Sequence, residues 1–246
     1  MFDLSGKTAI VTGAGQNMGA GIARTLAGQG AHVLVNDLFE DRAQSVVEEI
    51  AAAGGSAAAA AFDVTDRGAI GSALGAHDPI DILVNNAGNG GAEQMRPTQF
   101  KDMDPADWDS AIEINLRGVM NMCHVVINPM VERGWGRIVT ISSGAGNAGV
   151  GIGVAPYSAG KGGGLGFTRS LALENAASGV TANSVALGLM NNVGNSDVTA
   201  HLAKGVPAKR LGSPEDVGAI CVYLASEEAS WMTAQTINLN GGSITS

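Results

Sequence analysis

Tyr157 and Lys161, four residues apart, carry the clearest chemical signal in this sequence of 246 residues. Pro156 suits the first turn of a helix, where its missing amide proton costs nothing, so a helix is predicted to begin here. Residues four apart share one helix face, which places the phenol beside the ammonium. A phenolate near neutrality must be stabilised by roughly 4 kcal/mol, and one cation at about 5 Å supplies roughly 3 kcal/mol. The pair could act as a general acid–base, although an edge-packed tyrosine beside a solvated lysine would share this spacing.

Those two side chains need a scaffold, and its first element is a glycine-rich turn. The β-branched run Thr8–Val11 predicts a strand, and apolar residues at helical spacing follow Gly19. Gly13, Gly15 and Gly19 lie between them. Such a turn lets backbone amides and a helix N-terminus approach a pyrophosphate. A ligand-free turn between strand and helix is the alternative.

The second apolar run ends at Asp37. In a dinucleotide fold, an acidic residue at this position accepts hydrogen bonds from the adenosine ribose hydroxyls. Its charge would repel a 2′-phosphate, and no basic residue follows before Arg42. The sequence therefore favours NAD over NADP, unless Asp37 instead caps the helix predicted to start near Glu40.

The alternation of strand and helix continues along the chain and predicts the fold. We expect an α/β fold in a single domain over residues 1–246. It would be a Rossmann-like doubly wound parallel sheet of about seven strands, flanked by helices on both faces. The binding crevice should lie beyond the carboxyl ends of the strands.

Composition argues against several kinds of partner. With 14 basic and 23 acidic residues, the net charge of −9 argues against nucleic acid and membrane surfaces. Cys123 and Cys221 are far apart, and neither they nor the four histidines show the spacing of metal ligands, so no metal is expected. Without a leader or a long apolar run, the protein is predicted to be cytoplasmic.

Three motifs, in this order and spacing, resemble the short-chain dehydrogenase/reductase family. They are Thr12-Gly-x-Gly-x-x-x-Gly19, Asn85-Asn-Ala-Gly88 and Tyr157-x-x-x-Lys161, and the similarity extends from Lys7 to about Gly242. The resemblance implies four catalytic residues: Asn115, Ser143, Tyr157 and Lys161, with Ser142 as the alternative serine. It also implies cofactor contacts, which we expect at Gly13, Gly15, Asn17, Met18, Gly19, Asp37, Asp63, Val64, Asn86, Ala87, Gly88, Tyr157, Lys161, Gly188 and Asn192.

The resemblance also implies a role for each catalytic side chain. Tyr157 would exchange the proton with the substrate oxygen, and Ser143 would orient that oxygen. Lys161 would lower the pKa of Tyr157 and bind the nicotinamide ribose, while Asn115 would hold a water molecule linking Lys161 to solvent.

The departures from the family pattern within the cofactor site include two asparagines. Asn17 stands where the family has its middle glycine, and asparagine tolerates left-handed backbone angles better than most residues. Asn192 stands where a threonine usually contacts the nicotinamide carboxamide, and it could replace that hydrogen bond. We therefore expect cofactor binding to be retained.

The implied activity is NAD-dependent interconversion of a neutral secondary alcohol and a ketone, cyclic or hydroxyaromatic substrates included. Reduction of a β-ketoacyl thioester of coenzyme A or a carrier protein is the alternative, although Leu173 replaces the arginine with which the family docks carrier proteins. A non-enzymatic redox sensor is a third hypothesis. The glycine-rich helix after Tyr157 suggests close packing against another subunit, as in the family's homotetramers.

Overall fold

The computed structural model describes residues 1–75, 77–88, 96–191 and 196–245. Within these ranges, seven strands form one sheet in the order β3-β2-β1-β4-β5-β6-β7, and every pair of neighbours is parallel. The predicted Rossmann-like parallel sheet is confirmed. The strands are β1 Thr8–Val11, β2 His32–Asp37, β3 Ser56–Ala61, β4 Ile82–Asn85, β5 Gly136–Ser143, β6 Val180–Leu187 and β7 Thr236–Leu239.

Helices cover both faces of the sheet, because the strands together bury apolar side chains on each face. One core packs α1, α2 and α9 against the sheet, and the other packs α3, α5 and α7. The helices of the described residues are α1 Asn17–Gly28, α2 Glu40–Ala52, α3 Arg67–Leu74, α4 Trp108–Ile112, α5 Gly118–Arg133, α6 Gly144–Asn147, α7 Ala155–Asn175, α8 Asp197–Gly205 and α9 Pro214–Ala225.

The strand order reverses between β1 and β4, which are neighbours in the sheet although β2 and β3 intervene in the chain. From β1 the chain builds the sheet in one direction, and from β4 in the other. Ligands of such sheets bind beyond the carboxyl ends of the strands at this reversal. The cleft described below lies there, as the sequence predicts.

Close packing by the glycines of α7 takes place within the chain. A Cβ at Gly160 would lie 2.8 Å from the carbonyl oxygen of Ala111, and one at Gly162 would lie 3.0 Å from that of Gly146. These glycines let α4 and α6 approach the backbone of α7. The sequence suggests that the small residues of α7 pack against another subunit. At Gly160 and Gly162 this interpretation is wrong, because the close neighbours belong to the same chain.

Candidate active site

A cleft of about 660 Å³ opens at the carboxyl ends of the strands and brings together most of the predicted site residues. Asn115 and Gly15 are not among its lining residues, and Asn192 lies outside the described residues. The predicted residues that line it are Gly13, Asn17, Met18, Gly19, Asp37, Asp63, Val64, Asn86, Ala87, Gly88, Ser143, Tyr157, Lys161 and Gly188.

Tyr157 and Ser143 meet at one end of this cleft. Tyr157 lies in the first turn of α7, and Ser143 is the last residue of β5. The serine hydroxyl lies close enough to the phenol to affect its pKa. Ser143 also caps α6, since its Oγ accepts the backbone N–H of Ala145 at 3.2 Å. This bond fixes the position of the hydroxyl that faces the phenol.

Ser142 is oriented differently. Its hydroxyl is buried and donates to the carbonyl oxygen of Lys161 at 3.2 Å, which ties β5 to α7. Of the two serines that the sequence offers, Ser143 is therefore the one whose hydroxyl contacts Tyr157.

Lys161 is buried one turn after Tyr157, and its ammonium donates to the carbonyl oxygen of Ile141 at 2.8 Å. Burial lowers the pKa of Lys161 from its ordinary 10.5 to about 8. A Cβ at Gly88 would lie 3.2 Å from Lys161 Nζ and 2.8 Å from Asn115 Oδ1. The missing side chain of Gly88 thus leaves space between the lysine and the asparagine.

The pKa of Tyr157 is raised in this structure, whereas the sequence predicts that Lys161 lowers it. Desolvation by burial is the main cause of the increase, and the nearby hydroxyl of Ser143 opposes it. The ammonium of Lys161 is hydrogen-bonded to the backbone of β5 and not to the phenol. The four-residue spacing fixes which helix face the two side chains share, but not where the ammonium is directed.

Replacing Lys161 with methionine should change how stability depends on pH. The native pKa of about 8 lies below the ordinary 10.5, so between these values the unfolded chain holds a proton that the native protein has released. The contribution of Lys161 to the free energy of unfolding therefore rises with pH across this window, by at most about 3 kcal/mol. Urea denaturation at about pH 7.5 and about pH 10 should show that the free energy of unfolding of wild type increases with pH relative to that of Lys161→Met.

The exposed Lys101 provides the control for this measurement. Lys101→Met should track wild type at both pH values. An equal pH dependence of wild type and Lys161→Met would contradict the lowered pKa.

Asn115 lies in a π-helical turn, Glu113–Arg117, that joins α4 to α5. Its side chain is buried, and Nδ2 donates to the carbonyl oxygen of Ala111 at 2.9 Å. The turn contains neither glycine nor proline. π-Helical turns are rare and are frequent at functional sites. This turn places Asn115 beside Gly88.

The other end of the cleft is formed by the glycine-rich turn, whose backbone geometry matches the sequence argument. Gly13 and Asn17 have φ angles of 59° and 48°. Asn17 therefore has a left-handed backbone, which asparagine tolerates better than most residues. A Cβ at Gly19 would lie 2.2 Å from the carbonyl oxygen of Gly13, so only glycine lets α1 pack this closely on the turn.

Asp37 ends β2 beside this turn, almost completely buried. Its Oδ2 accepts the N–H of Gly15 at 3.1 Å, and its Oδ1 accepts that of Phe39 at 3.1 Å. Phe39 is the N-cap residue of α2, which has no side-chain cap. The carboxylate therefore orders the turn and the β2–α2 connection, and the alternative that Asp37 caps α2 is not what the structure has.

Asp63 and Asn86 complete this end through loop contacts. Asp63 Oδ1 accepts both the N–H and the hydroxyl of Thr65 at 2.8 Å. Asn86 Nδ2 donates to the carbonyl oxygens of Thr12 at 2.8 Å and Gly13 at 3.0 Å. Asn86 thereby fixes the glycine-rich turn from the β4 side.

Four further residues, which were not predicted to bind the cofactor or act in catalysis, also shape the site. Thr12 Oγ1 accepts the N–H groups of Asn86 and Ala87, each at 3.0 Å. The Arg42 guanidinium lies 4.4 Å from the ring centroid of Phe39 and lines the cleft. Only Thr12, which begins the first motif, carries a sequence signal for a site role. The four are Thr12, Asn36, Arg42 and Ile141.

The geometry fits a dinucleotide. The N-terminus of α1, with Gln16, Asn17 and Met18, faces the cleft, and helix N-termini bind phosphate through free backbone N–H groups. The cleft extends from Asp37 at one end to Tyr157 at the other.

The described ranges hold neither a membrane-spanning helix nor a cluster of metal ligands. No helix there is both long and apolar enough to cross a membrane. Residues 1–75, 77–88, 96–191 and 196–245 contain no cluster of three or more histidine, cysteine, aspartate or glutamate residues that could hold a metal ion.

Comparison with known proteins gives matches over nearly the whole chain. A family model described as short chain dehydrogenase matches residues 7–202. Nodulation protein G of Azospirillum brasilense is 39% identical over 249 residues, covering 97% of this chain and 98% of that protein.

Solved structures agree with this match. The crystal structure of a 3-oxoacyl-(acyl-carrier protein) reductase from Brucella melitensis with bound NAD superposes with a TM-score of 0.92 at 30% identity, covering 99% of this chain and 94% of that one. A gluconate 5-dehydrogenase from Burkholderia cenocepacia, in complex with NADP and tartrate, gives a TM-score of 0.88 at 32% identity, covering 98% and 96%. The protein described here belongs to the short-chain dehydrogenase family.

Proposed function

We propose that this oxidoreductase uses NAD(H) to interconvert a secondary alcohol and a ketone, with Tyr157 as the general acid–base. One observation carries the proposal: the hydroxyl of Ser143 lies close enough to the phenol of Tyr157 to affect its pKa, in the cleft that also contains Lys161 and Asp37. A proton donor and a second hydroxyl can thus meet the same substrate oxygen.

Each catalytic side chain has a separate role in this proposal. A bound nicotinamide dinucleotide would supply or accept the hydride. Tyr157 gives its proton to the carbonyl oxygen during reduction and takes it back during oxidation. Ser143 donates a hydrogen bond that stabilises negative charge on that oxygen. Lys161 binds the nicotinamide ribose, and Asn115 holds a water molecule that links Lys161 to solvent.

The preference for NAD rests on the charge of Asp37. This carboxylate lines the cleft close to the glycine-rich turn, where it would meet the adenosine ribose. Arg42 lines the same end and could attract a 2′-phosphate. Family members in solved structures are described with NAD and with NADP. We propose that the nearly buried carboxylate of Asp37 determines the cofactor preference, because the guanidinium of Arg42 packs over the ring of Phe39.

Asp37→Asn should reverse or abolish the cofactor preference. The amide keeps an acceptor for the backbone but loses the charge, so NADH affinity should fall and NADPH affinity should rise. The ratio of the two dissociation constants should change by about tenfold or more, equivalent to about 1.4 kcal/mol. Calorimetric titration of both cofactors measures this ratio.

The double variant Asp37→Asn/Arg42→Ala is the matched control for that titration. It should lose the gain in NADPH affinity. Tighter binding of NADPH than of NADH by the wild-type protein would overturn the Asp37 argument.

The substrate class follows from the charges in the cleft. Among the described residues that line it, the only cations are Arg42, at the adenosine end, and Lys161, buried beneath Tyr157. A substrate carboxylate therefore has no cation beside Ser143 in the described part of the cleft. Leu189 and Met190 also line it, which suits a neutral, partly apolar alcohol or ketone.

Reduction of a β-ketoacyl thioester is the second candidate, because a family member with that name is structurally very similar. Leu173 is 73% exposed on α7, where the sequence resemblance places an arginine that docks carrier proteins. This substitution favours a coenzyme A thioester over a carrier-protein thioester within that candidate.

A substrate panel separates these activities. Neutral cyclic and aryl ketones, acetoacetyl-coenzyme A and a ketogluconate would each be supplied with NADH, and its oxidation followed by absorbance. Fastest turnover of a neutral ketone supports the proposal, and fastest turnover of the thioester supports the second candidate. Tight NADH binding without turnover of any compound would instead favour a redox sensor.

We also propose a cytoplasmic homotetramer. Met120 on α5 and Leu173 on α7 are exposed apolar side chains, and a Cβ at Gly166 would meet no atom within 4 Å. A second copy of the chain could cover this surface. Light scattering would determine the assembly.

The cysteines support the proposed cytoplasmic location. Cys123 and Cys221 are buried free thiols, which suits a reducing compartment.

A further inference from the structure

We propose that Asn36 is a positioning residue that holds the phosphate-binding turn in register with the adenosine end of the cleft. The inference rests on the proposed dinucleotide binding and concerns a residue to which the sequence motifs assign no role. Asn36 is the penultimate residue of β2, directly before Asp37, and is only 1% exposed.

The side chain of Asn36 connects two separate segments. Its Nδ2 donates to the carbonyl oxygens of Ala60 at 2.9 Å and Phe62 at 3.0 Å, at the end of β3. Its Oδ1 accepts the N–H of Gly13 at 3.3 Å, and its backbone carbonyl accepts that of Ala14 at 2.6 Å. One residue thus holds the glycine-rich turn from β2 and links it to β3.

The orientation of this amide is determined by its neighbours. Two carbonyl oxygens face one side of the group and one N–H faces the other, so the nitrogen must point to Ala60 and Phe62. Among side chains of this size, an uncharged amide alone supplies donors on one side and an acceptor on the other. A carboxylate here would set an oxygen against two carbonyl oxygens.

The groups linked by Asn36 all lead to the proposed cofactor contacts. Gly13 has a positive φ and lines the cleft beside the N-terminus of α1. Phe62 immediately precedes Asp63 and Val64, and all three line the cleft. Asp37 is the next residue and accepts the N–H of Gly15. Asn36 therefore fixes the glycine-rich turn, Asp37 and Asp63 relative to one another.

Asn36→Asp tests this role, because it keeps the size and the acceptor but removes the donor. The dissociation constants of NADH and of ADP-ribose should both rise by about tenfold or more. The turnover number at saturating NADH should stay within about twofold of wild type, because Tyr157 and Ser143 are not linked to Asn36.

Asn183 provides a matched control in β6. It is equally buried, its Nδ2 donates to the carbonyl oxygen of Met232 at 2.8 Å, and its Oδ1 accepts the N–H of Gln235 at 3.0 Å. It is not among the cleft-lining residues. Asn183→Asp should reduce the denaturation midpoint as Asn36→Asp does, while leaving the dissociation constant of NADH within about twofold of wild type.

A pH series adds a readout that general destabilisation would not produce. The carboxyl group that Asn36→Asp introduces can donate to a carbonyl oxygen when it is protonated, but not when it is ionised. The ratio of NADH dissociation constants, Asn36→Asp to wild type, should therefore shrink as pH is lowered. Should Asn36→Asp fail to fold, Asn36→Ser supplies the same comparison of binding and turnover without the pH readout.

Equal effects of Asn36→Asp and Asn183→Asp on NADH affinity, or no effect of either, would overturn the positioning role of Asn36. The proposed function would not be affected by that result. A wild-type protein that binds neither NADH nor NADPH would overturn the proposed function and this inference together. A loss of turnover without a loss of cofactor affinity in Asn36→Asp would also contradict the inference.

Discussion

Tyr157→Phe should reduce turnover by about 10³-fold, within the range usual for loss of a general acid–base, and leave the dissociation constant of NADH within about twofold of wild type. Phenylalanine keeps the ring that packs in the first turn of α7 but has no proton to exchange. Stopped-flow or steady-state measurement of NADH oxidation with the best ketone gives the turnover number. Calorimetry gives the affinity.

The two adjacent serines are matched controls for this result. Ser143→Ala removes the hydroxyl that contacts Tyr157, so turnover should fall by about 10²-fold. Ser142→Ala removes a hydrogen bond to the backbone of Lys161 and should cost stability more than turnover. Substantial turnover in Tyr157→Phe, or a larger kinetic loss in Ser142→Ala than in Ser143→Ala, would refute the assignment.

Gly19→Ala should abolish cofactor binding and destabilise the fold. The new Cβ would lie 2.2 Å from the carbonyl oxygen of Gly13 and 2.6 Å from Asn86 Nδ2. Because the first of these atoms is backbone, α1 and the turn must separate to relieve the overlap. We expect a loss of about 1–3 kcal/mol in the free energy of unfolding, as for other overpacked sites. Denaturation in urea and NADH titration measure the two effects.

Gly28 lies on the same helix and supplies the control. A Cβ there would meet no atom within 4 Å. Gly28→Ala should therefore bind NADH like wild type and gain up to about 1 kcal/mol of stability from helix propensity. If Gly19→Ala matched Gly28→Ala in both measurements, the proposed close contact between α1 and the turn would be incorrect.

The sheet and the position of its cleft could be predicted because they depend on short, local patterns. Alternating strands and helices determine a parallel sheet, and the glycines of the turn mark a backbone that side chains would obstruct. Asn17 is an example: it stands where the family has a glycine, and its backbone has a left-handed φ angle that glycine adopts easily.

Features that depend on distant contacts could not be predicted in this way. The direction of the Lys161 ammonium depends on the carbonyl of Ile141, and the burial that raises the pKa of Tyr157 depends on the packing around the cleft. The π-helical turn at Asn115 contains no residue type that signals it. Asn36 reads as an ordinary polar residue in a strand until β3 and the turn are placed beside it.

The glycines of α7 determine how the active site is lost when the protein unfolds. This helix contains five glycines within Ala155–Asn175, each unfavourable by about 1 kcal/mol relative to alanine, so the isolated segment would be unstructured in water. Its helical form depends on neighbours such as α4 and α6, which pack against Gly160 and Gly162. Amide hydrogen exchange in the first turns of α7 should therefore proceed only through the same cooperative opening as exchange in β5. No partly unfolded form of the enzyme should retain activity.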